Sequence, residues 1–200
     1  MSNSSINRIL WSNIEYSDPG DIAEFFNNYF SSIATELDDI LPASALDPLH
    51  YMRNKILSSL SLEPVTPAEV STIISDLKLT KQHKNNIPVK LIIYFRTVLC
   101  VTLCDMINQS FTQGKFPEPL KHALVTPIFK KGDILDPKNY RPISVLLILS
   151  KIFERAIYNR LIKFLSDNSV ISPSQFGFIK KKSTRDAILL LTEYLYEAFE

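Results

Sequence analysis

The sequence predicts an α+β fold in which helices dominate, and three observations support this class. Hydrophobic residues make up 46% of the 200 residues and glycine only 4 of them, so the chain can build a core and favours helix. Apolar residues recur at helical spacing in several long segments. Residues 122–147 instead alternate like two short strands, which predicts a small β-hairpin. The length suits one ordinary domain, or a domain with a helical extension.

The first helix is predicted to begin after Asp18, the N-cap, with Pro19 at its first position. It should end before Pro42. Residues 41–65 contain three prolines, which favours a connector with a short helix near residues 51–60. The apolar residues that define the first helix are Ile22, Phe25, Phe26, Tyr29, Phe30, Ile33 and Leu37.

Two further helices are predicted before the hairpin. Thr66 and Glu69 have the spacing of a capping box, with proline in the first turn, and a short apolar helix follows them. A longer helix should run from about Pro88 to Gln113, because Gly114 stands at the position of a C-terminal cap.

The hairpin is predicted from strands at residues 122–130 and 140–147, joined by a polar tip that contains Lys131 and Gly132. Pro127 and Pro142 indicate that these strands are edges or are irregular at those points. A helix at residues 150–165, a loop at 173–182 and a last helix capped at 183–186 complete the chain.

Charge is distributed unevenly along the sequence. Residues 1–80 contain four basic and eleven acidic residues, whereas residues 81–200 contain 18 basic and 10 acidic residues. A basic second half favours contact with a polyanion such as a nucleic acid. Chance, with charges on solvated helix faces, explains the same asymmetry, so both interpretations stay open.

The remaining sequence features point to the inside of the cell. Cys100 and Cys104 lie one helical turn apart in an apolar stretch, where buried thiols are a better interpretation than metal ligands. Met1 is followed by polar residues rather than by a secretory signal. The longest apolar stretch, residues 98–103, is too short to cross a bilayer. We therefore expect a protein of the cytoplasm or nucleus without a membrane partner.

Five phrases in a fixed order carry a resemblance to a known family. They are FTQGKFP at 111–117, KHALVTPIFKKGD at 121–133, NYRPIS at 139–144, SKIFE at 150–154, and QFGF at 175–178 followed by Ser183 and Thr184. Together they resemble the fingers region of reverse transcriptases from non-LTR (LINE-type) retrotransposons. Residues 19–80, with FNNYF at 26–30 and PVTPAE at 64–69, are similar to the linker between endonuclease and polymerase in that family.

The resemblance implies a helical linker or extension at residues 1–80 and a partial reverse transcriptase domain at residues 81–200. That second part would be an incomplete fingers subdomain of a right-hand polymerase. The resemblance also implies that Arg141 contacts the phosphates of the incoming nucleotide, with Lys130 or Lys131 beside it. Arginine offers phosphate a planar fork of donors and lysine a point charge. Alternatively, Arg141 is a surface residue after a turn and the lysines are a solvated tip.

The resemblance also implies a template-binding role for residues 175–182, which come after the hairpin and the helix that follows it. The matching residues are Gln175, Phe176, Gly177 and Phe178, followed by Lys180, Lys181 and Lys182. Glycine allows a close backbone approach, phenylalanine offers an apolar face to a base, and lysines pair with backbone phosphate. The alternative is a loop that buries one phenylalanine as a plug.

Catalysis in the intact parent would use two Mg²⁺ ions held by clustered aspartates. The adjacent pair Asp38 and Asp39 lies at the end of the acidic first helix, and Asp186 lies at a helix start. We therefore predict no catalytic residue and no metal site in this chain, and we expect it to be truncated before the catalytic aspartates. Its last helix should then leave apolar surface exposed.

These observations favour a fragment of an RNA-directed DNA polymerase, a nucleotidyltransferase that is not catalytic by itself. The intact parent would act on an RNA or DNA template-primer and on deoxynucleoside triphosphates. Two alternatives stay open, a nucleic-acid-binding module without polymerase activity and a helical protein-interaction domain. The sequence predicts no oligomeric state.

Overall fold

The computed structural model describes residues 6–42, 58–78 and 87–199. Within these ranges the chain forms six α-helices and two antiparallel β-hairpins, so the α+β class is confirmed. The elements are β1 (Ile9–Trp11), β2 (Ile14–Tyr16), α1 (Pro19–Asp38), α2 (Pro67–Ser75), α3 (Val89–Tyr94), α4 (Arg96–Gln113), β3 (Ala123–Phe129), β4 (Tyr140–Leu146), α5 (Ile148–Asp167) and α6 (Thr184–Phe199). The helix expected near residues 51–60 falls largely outside the described residues.

The local signals for helix ends are confirmed at several points. The Asp18 carboxylate accepts hydrogen bonds from the amides of Gly20 and Asp21 at 2.8 and 3.2 Å, which starts α1. Gly114 ends α4 in the left-handed conformation, with φ of 62°. The Ser183 amide and hydroxyl both donate to the Asp186 carboxylate at the start of α6.

Two predicted helices have different limits in the structure. The segment from Pro88 to Gln113 is broken at Phe95, and the resulting short helix α3 packs against both α2 and α4. Arg96, the first residue of α4, donates to the Ser75 hydroxyl at 2.6 Å and so ties the break to the end of α2. The helix expected at 150–165 begins at Ile148 and ends at Asp167.

The main core lies between α2, α3, α4 and α5, which we call the helical bundle. Phe153 and Ile152 of α5, Ile107 of α4 and Ile74 of α2 are fully buried there. Both predicted core thiols, Cys100 and Cys104, are buried and free. Because α2 shares this core with later helices, packing is continuous between residues 65–75 and 89–156. The expected domain division at residue 80 stays a prediction.

A second, smaller core is aromatic and lies near the N-terminus. Hairpin β1–β2 and helix α1 form it, and we call residues 6–38 the N-terminal unit. Its buried members are Ile9, Ile22 and Phe26, and Tyr140 from the start of β4 is buried with them. The sequence interpretation missed β1 and β2. Ser12 and Asn13, which join them, both have positive φ, as a two-residue hairpin turn requires.

Strands β3 and β4 form the predicted hairpin, with register from Ala123 opposite Leu146 to Phe129 opposite Tyr140. Pro127 and Pro142 face each other in the middle of this ladder. The Lys130 amide bonds to the Asn139 carbonyl at 2.8 Å, so the alternating antiparallel pattern puts the proline pair at a position without ladder hydrogen bonds. The strands therefore stay regular, and in a two-stranded sheet both are edges.

Helix α6 has no buried side chain among its described residues. Leu191, Tyr194 and Leu195 expose 50–60% of their surface. The expectation that the last helix presents apolar surface is therefore confirmed. None of the helices in the described ranges combines the length and the apolar character needed to cross a bilayer.

Candidate nucleic-acid interface

The two faces of the β3–β4 hairpin have different surroundings. Successive side chains on a strand point to opposite faces, and residues paired across an antiparallel ladder share a face. Phe129 and Tyr140 therefore lie on one face, and their rings meet at 5.5 Å. Arg141 lies on the other face with its partner Ile128. Tyr140 is buried and Arg141 is exposed, which fits this alternation.

Lys130 belongs to the same face as Arg141. Its amide bonds to the carbonyl of Asn139, so Lys130 and Asn139 extend the ladder by one pair. Arg141 lies two residues beyond Asn139 and is thus the diagonal neighbour of Lys130, a relation that typically separates side chains by about 7–8 Å. The two predicted phosphate contacts are brought together on one exposed face, while Lys131 lies in the loop beyond the ladder and is exposed too.

The loop that joins the strands, residues 130–139, is ordered by its own hydrogen bonds and is called the hairpin loop. The Asn139 side-chain amide donates to the Asp133 carbonyl at 2.9 Å. The Asp136 carboxylate accepts from the Lys138 amide at 3.0 Å and starts a short 3₁₀ turn at Pro137–Asn139. Lys130, Lys131 and Arg141 make no ion pair with any carboxylate of the described ranges, so their charges are available to a ligand.

Tyr140 stabilises the hairpin loop through a hydrogen bond from its side chain. Its hydroxyl donates to the Ile134 carbonyl at 2.7 Å. Burial raises the pKa of Tyr140 above its ordinary value, and the negative charge of Asp133 adds to the effect. The phenol therefore keeps its proton and remains a donor throughout the physiological pH range.

Gly132 is required by the backbone of this loop. Its φ is 95°, and a Cβ atom there would lie 2.8 Å from the side-chain nitrogen of Asn139. That nitrogen cannot move away freely, because it donates a hydrogen bond to the Asp133 carbonyl. We predict that Gly132→Ala lowers the stability of the hairpin by about 1–3 kcal/mol. Urea unfolding followed by fluorescence of Trp11, the single tryptophan, measures the loss. Gly177→Ala is the control, because no atom lies within 4 Å of its Cβ position; equal losses in both variants would contradict the prediction.

The second predicted interface, residues 175–182, divides its cations into two kinds. The Lys182 ammonium donates to the carbonyls of Pro173 and Gln175 at 2.7 and 3.2 Å and lies 4.9 Å from the centre of the Phe176 ring. Lys180 and Lys181 are exposed instead. Lys182 thus closes the loop on itself, whereas its neighbours are free to meet an anion.

The two phenylalanines of this loop also differ. Phe176 is partly buried beneath Lys182. Phe178 is completely exposed and has a positive φ of 62°, an uncommon conformation outside glycine. Its ring has the exposure that stacking on a base requires. Gly177 has open space around it, so the structure provides no close approach that only glycine allows.

No hydrogen bond, ion pair or ring contact in the described ranges joins Lys130, Lys131 or Arg141 to residues 175–182. The structure thus shows no such contact between the two predicted sites within these ranges, and the template-binding and phosphate-binding roles stay predictions. Nor do three or more His, Cys, Asp and Glu side chains gather anywhere in residues 6–42, 58–78 and 87–199 in a way that could hold a metal ion.

Two contacts were not predicted from the sequence. Lys138 lies in the hairpin loop with its ammonium 5.4 Å from the centre of the Trp11 ring. Arg160 of α5 binds Glu69 at the start of α2 and also donates to the Glu63 and Pro64 carbonyls. For the Lys138–Trp11 contact, the sequence offers only a single tryptophan beside a turn as an indication. For the Arg160–Glu69 contact, the spacing of residues in α5 gives no indication.

Comparison with known proteins gives a consistent set of relatives, although no family model matches the chain. A probable RNA-directed DNA polymerase from transposon BS of Drosophila melanogaster is 28% identical over 89% of this chain. The RNA-directed DNA polymerase from mobile element jockey of the same species is 31% identical over 75% of the chain. A probable RNA-directed DNA polymerase from transposon X-element, also of Drosophila melanogaster, is 28% identical over 70% of the chain. The chain spans only 16–20% of the length of these curated relatives.

Proposed function

We propose that this chain, which is related to the RNA-directed DNA polymerases of non-LTR retrotransposons over most of its length, is a segment of such a reverse transcriptase. The observation that carries the proposal is the similarity over 89% of the chain. In the intact polymerase this segment would belong to the fingers subdomain of the right-hand fold, preceded by a helical extension. The intact protein would act inside the cell, in the cytoplasm or nucleus.

Within this proposal the hairpin binds phosphate. Arg141 and Lys130 share its exposed face, and neither is paired with a carboxylate of the described ranges. Four basic and two acidic residues lie between positions 130 and 141, which makes the local charge positive. A guanidinium beside an ammonium suits the triphosphate of an incoming nucleotide, because the fork binds two oxygens and the lysine adds charge.

The loop at 175–182 supplies the second proposed contact, with the template strand. Phe178 offers a fully exposed ring for stacking, and Lys180 and Lys181 offer free charges for backbone phosphate. Gln175 donates weakly to the Gly177 carbonyl at 3.5 Å and so remains able to exchange this bond for one to a nucleotide. Phe176 and Lys182 hold the loop in shape.

The exposed apolar side of α6 supports the view that this segment functions as part of a larger protein. Large exposed apolar patches mark surfaces that contact other protein. We propose that the rest of the parent polymerase covers α6. Chemistry at the 3′ end of a primer would then use carboxylates and Mg²⁺ from that remaining part, and residues 1–200 alone should not extend a primer. Measurable extension by residues 1–200 would overturn this division of roles.

The test of the proposal is binding of a fluorescein-labelled single-stranded RNA to residues 1–200, measured by anisotropy at several salt concentrations. The wild-type affinity should fall linearly on a log–log plot as salt rises, because phosphate contacts release counterions. The phosphate site is tested separately with a fluorescent deoxynucleoside triphosphate, whose binding Arg141→Gln should weaken about threefold while RNA binding changes less. Absence of RNA binding at low salt would contradict the proposal.

We predict different effects for the three lysines of the loop. Lys180→Gln with Lys181→Gln should lower the salt slope by about 1.4, two phosphate contacts at about 0.7 each. Lys182→Gln, which removes the same kind of charge, should change the slope less because its ammonium is bonded to loop carbonyls. The measurement is the same anisotropy titration, and equal slopes per lysine would show that Lys182 also contacts phosphate.

A further inference from the structure

We propose that the N-terminal unit, residues 6–38, is a brace for the hairpin loop, and that Tyr140 and Lys138 are positioning residues for Arg141. This inference rests on the proposed function for Arg141, but the brace itself is a statement about structure that can be tested separately. The phrases that carried the resemblance assign no such role to residues 6–18.

The first contact of the brace is aromatic. Tyr140 exposes only 6% of its surface, and its ring lies 5.1 Å from that of Phe26 in α1. Arg141 is the next residue of the same strand, so its side chain points away from the face that Tyr140 buries. Holding Tyr140 against Phe26 therefore determines the direction in which Arg141 projects.

The second contact involves β1 and the middle of the hairpin loop. The Leu10 amide donates to the Leu135 carbonyl at 2.9 Å. Pro137 is fully buried at this junction, and Lys138 covers the Trp11 ring. A main-chain hydrogen bond, a buried proline and a cation–π contact thus connect two segments that are more than a hundred residues apart in the chain.

The hairpin needs such support because it is a sheet of only two strands. An isolated two-stranded hairpin is at best marginally stable in water. The face that carries Arg141 also carries Leu124, Ile128 and Ile143, which each expose more than 40% of their surface, so little apolar burial within the described ranges stabilises that face. The helical bundle holds one end of the hairpin through Leu120 and Ile148. The N-terminal unit holds the other end, where the proposed ligand binds.

The brace is tested by amide hydrogen exchange on residues 1–200. Phe26→Ala should speed exchange in residues 130–139 at least tenfold, while exchange in α4 and α5 stays as in the wild type. Lys138→Gln should speed it severalfold and change Trp11 fluorescence. Lys131→Gln, which removes a charge from the same loop without a described contact, should do neither. Unchanged exchange in both the Phe26 and Lys138 variants overturns the brace.

The positioning of Arg141 is tested by binding of the fluorescent deoxynucleoside triphosphate in the same proteins. Phe26→Ala changes no charge, yet it should weaken binding about as much as Arg141→Gln does. Tyr140→Phe retains the ring contact and should restore most of the affinity lost in Tyr140→Ala. If Arg141→Gln weakens binding and Phe26→Ala does not, the positioning role is wrong. If Arg141→Gln has no effect, the proposed function of Arg141 fails, and the exchange data still decide the brace.

Discussion

Replacing Arg160 by methionine should destabilise the helical bundle by about 2–4 kcal/mol. Breaking a buried ion pair typically costs about 3–5 kcal/mol, and partial exposure of this pair lowers the expected loss. The side chains of Arg160 and Glu69 are only 12% and 28% exposed. The guanidinium contacts the Glu69 carboxylate in a bidentate manner, with the second bond at 2.8 Å. It also lies 5.6 Å from the centre of the Phe111 ring.

The loss is large because Arg160 satisfies several groups at once. Its Nε donates to the Glu63 carbonyl at 2.8 Å and its Nη2 to the Pro64 carbonyl at 3.0 Å. Methionine fills similar space, but among the described residues it leaves the Glu69 carboxylate with only the Asn159 side-chain amide, at 3.3 Å. Half-satisfied polar groups cost more than an apolar site of the same shape. The pair therefore connects the start of α2 to α5 and stabilises this part of the helical bundle.

Urea unfolding followed by helix circular dichroism measures this effect. Lys163→Met is the matched control on the same helix, because Lys163 pairs with Asp167 in an exposed i, i+4 ion pair. An exposed pair of this kind contributes about 0.5 kcal/mol or less. If the two variants lose similar amounts of stability, the bundle does not depend on the Arg160 contacts.

The same pair makes stability depend on pH in a defined direction. The hydrogen bond from Arg160 is the main reason why the pKa of Glu69 lies below its ordinary value of 4.5, and burial opposes it. A carboxylate with a lowered folded-state pKa contributes stability above its unfolded pKa and loses it as pH falls through the folded value. The wild type should therefore lose stability below about pH 4.5, and Arg160→Met should lose less over that range.

The sequence predicted features that depend on neighbours in the chain. Asp18 caps α1 and Gly114 ends α4, because capping involves groups within four residues. The β3–β4 hairpin was predicted from alternation within 25 residues. Glu69 shows where this reasoning stops. Its spacing from Thr66 predicts a reciprocal capping box, and Thr66 does accept from the Glu69 amide at 3.2 Å. Its carboxylate binds Arg160 instead, some ninety residues away.

The candidate site was predictable in part for the same reason. Alternation alone puts Tyr140 and Arg141 on opposite faces of β4. Which face is covered depends on Phe26 of the N-terminal unit, and nothing in the sequence near Tyr140 indicates that contact. Lys182 is a similar case. The resemblance implies a contact with backbone phosphate for all three lysines of its run, whereas in the structure the loop curves so that the Lys182 ammonium meets two carbonyls.

Replacing Phe153 by alanine should remove about 3–5 kcal/mol of folding stability, the range for deleting a buried aromatic side chain. Phe153 is fully buried in α5, and its ring meets that of Phe116 edge-on, with centroids 5.9 Å apart. The space left by the ring is not easily filled, because α5 is also held in place by other contacts. Arg160 donates to the Glu63 carbonyl, and the Ser150 hydroxyl donates to the Leu120 carbonyl. Circular dichroism in urea measures the loss.

Phe178→Ala is the matched control, because it deletes the same ring from a position that is completely exposed. It should change stability by less than about 0.5 kcal/mol. In RNA binding the expectation is reversed, since a stacked base is worth about 1–3 kcal/mol and the ring of Phe178, unlike the buried ring of Phe153, is open to a base. The two deletions thus separate the residue that holds the bundle from the residue that meets the ligand. A stability loss in Phe178→Ala equal to that in Phe153→Ala would mean that the exposed ring is packed in solution, and the template-binding surface would have to be sought elsewhere.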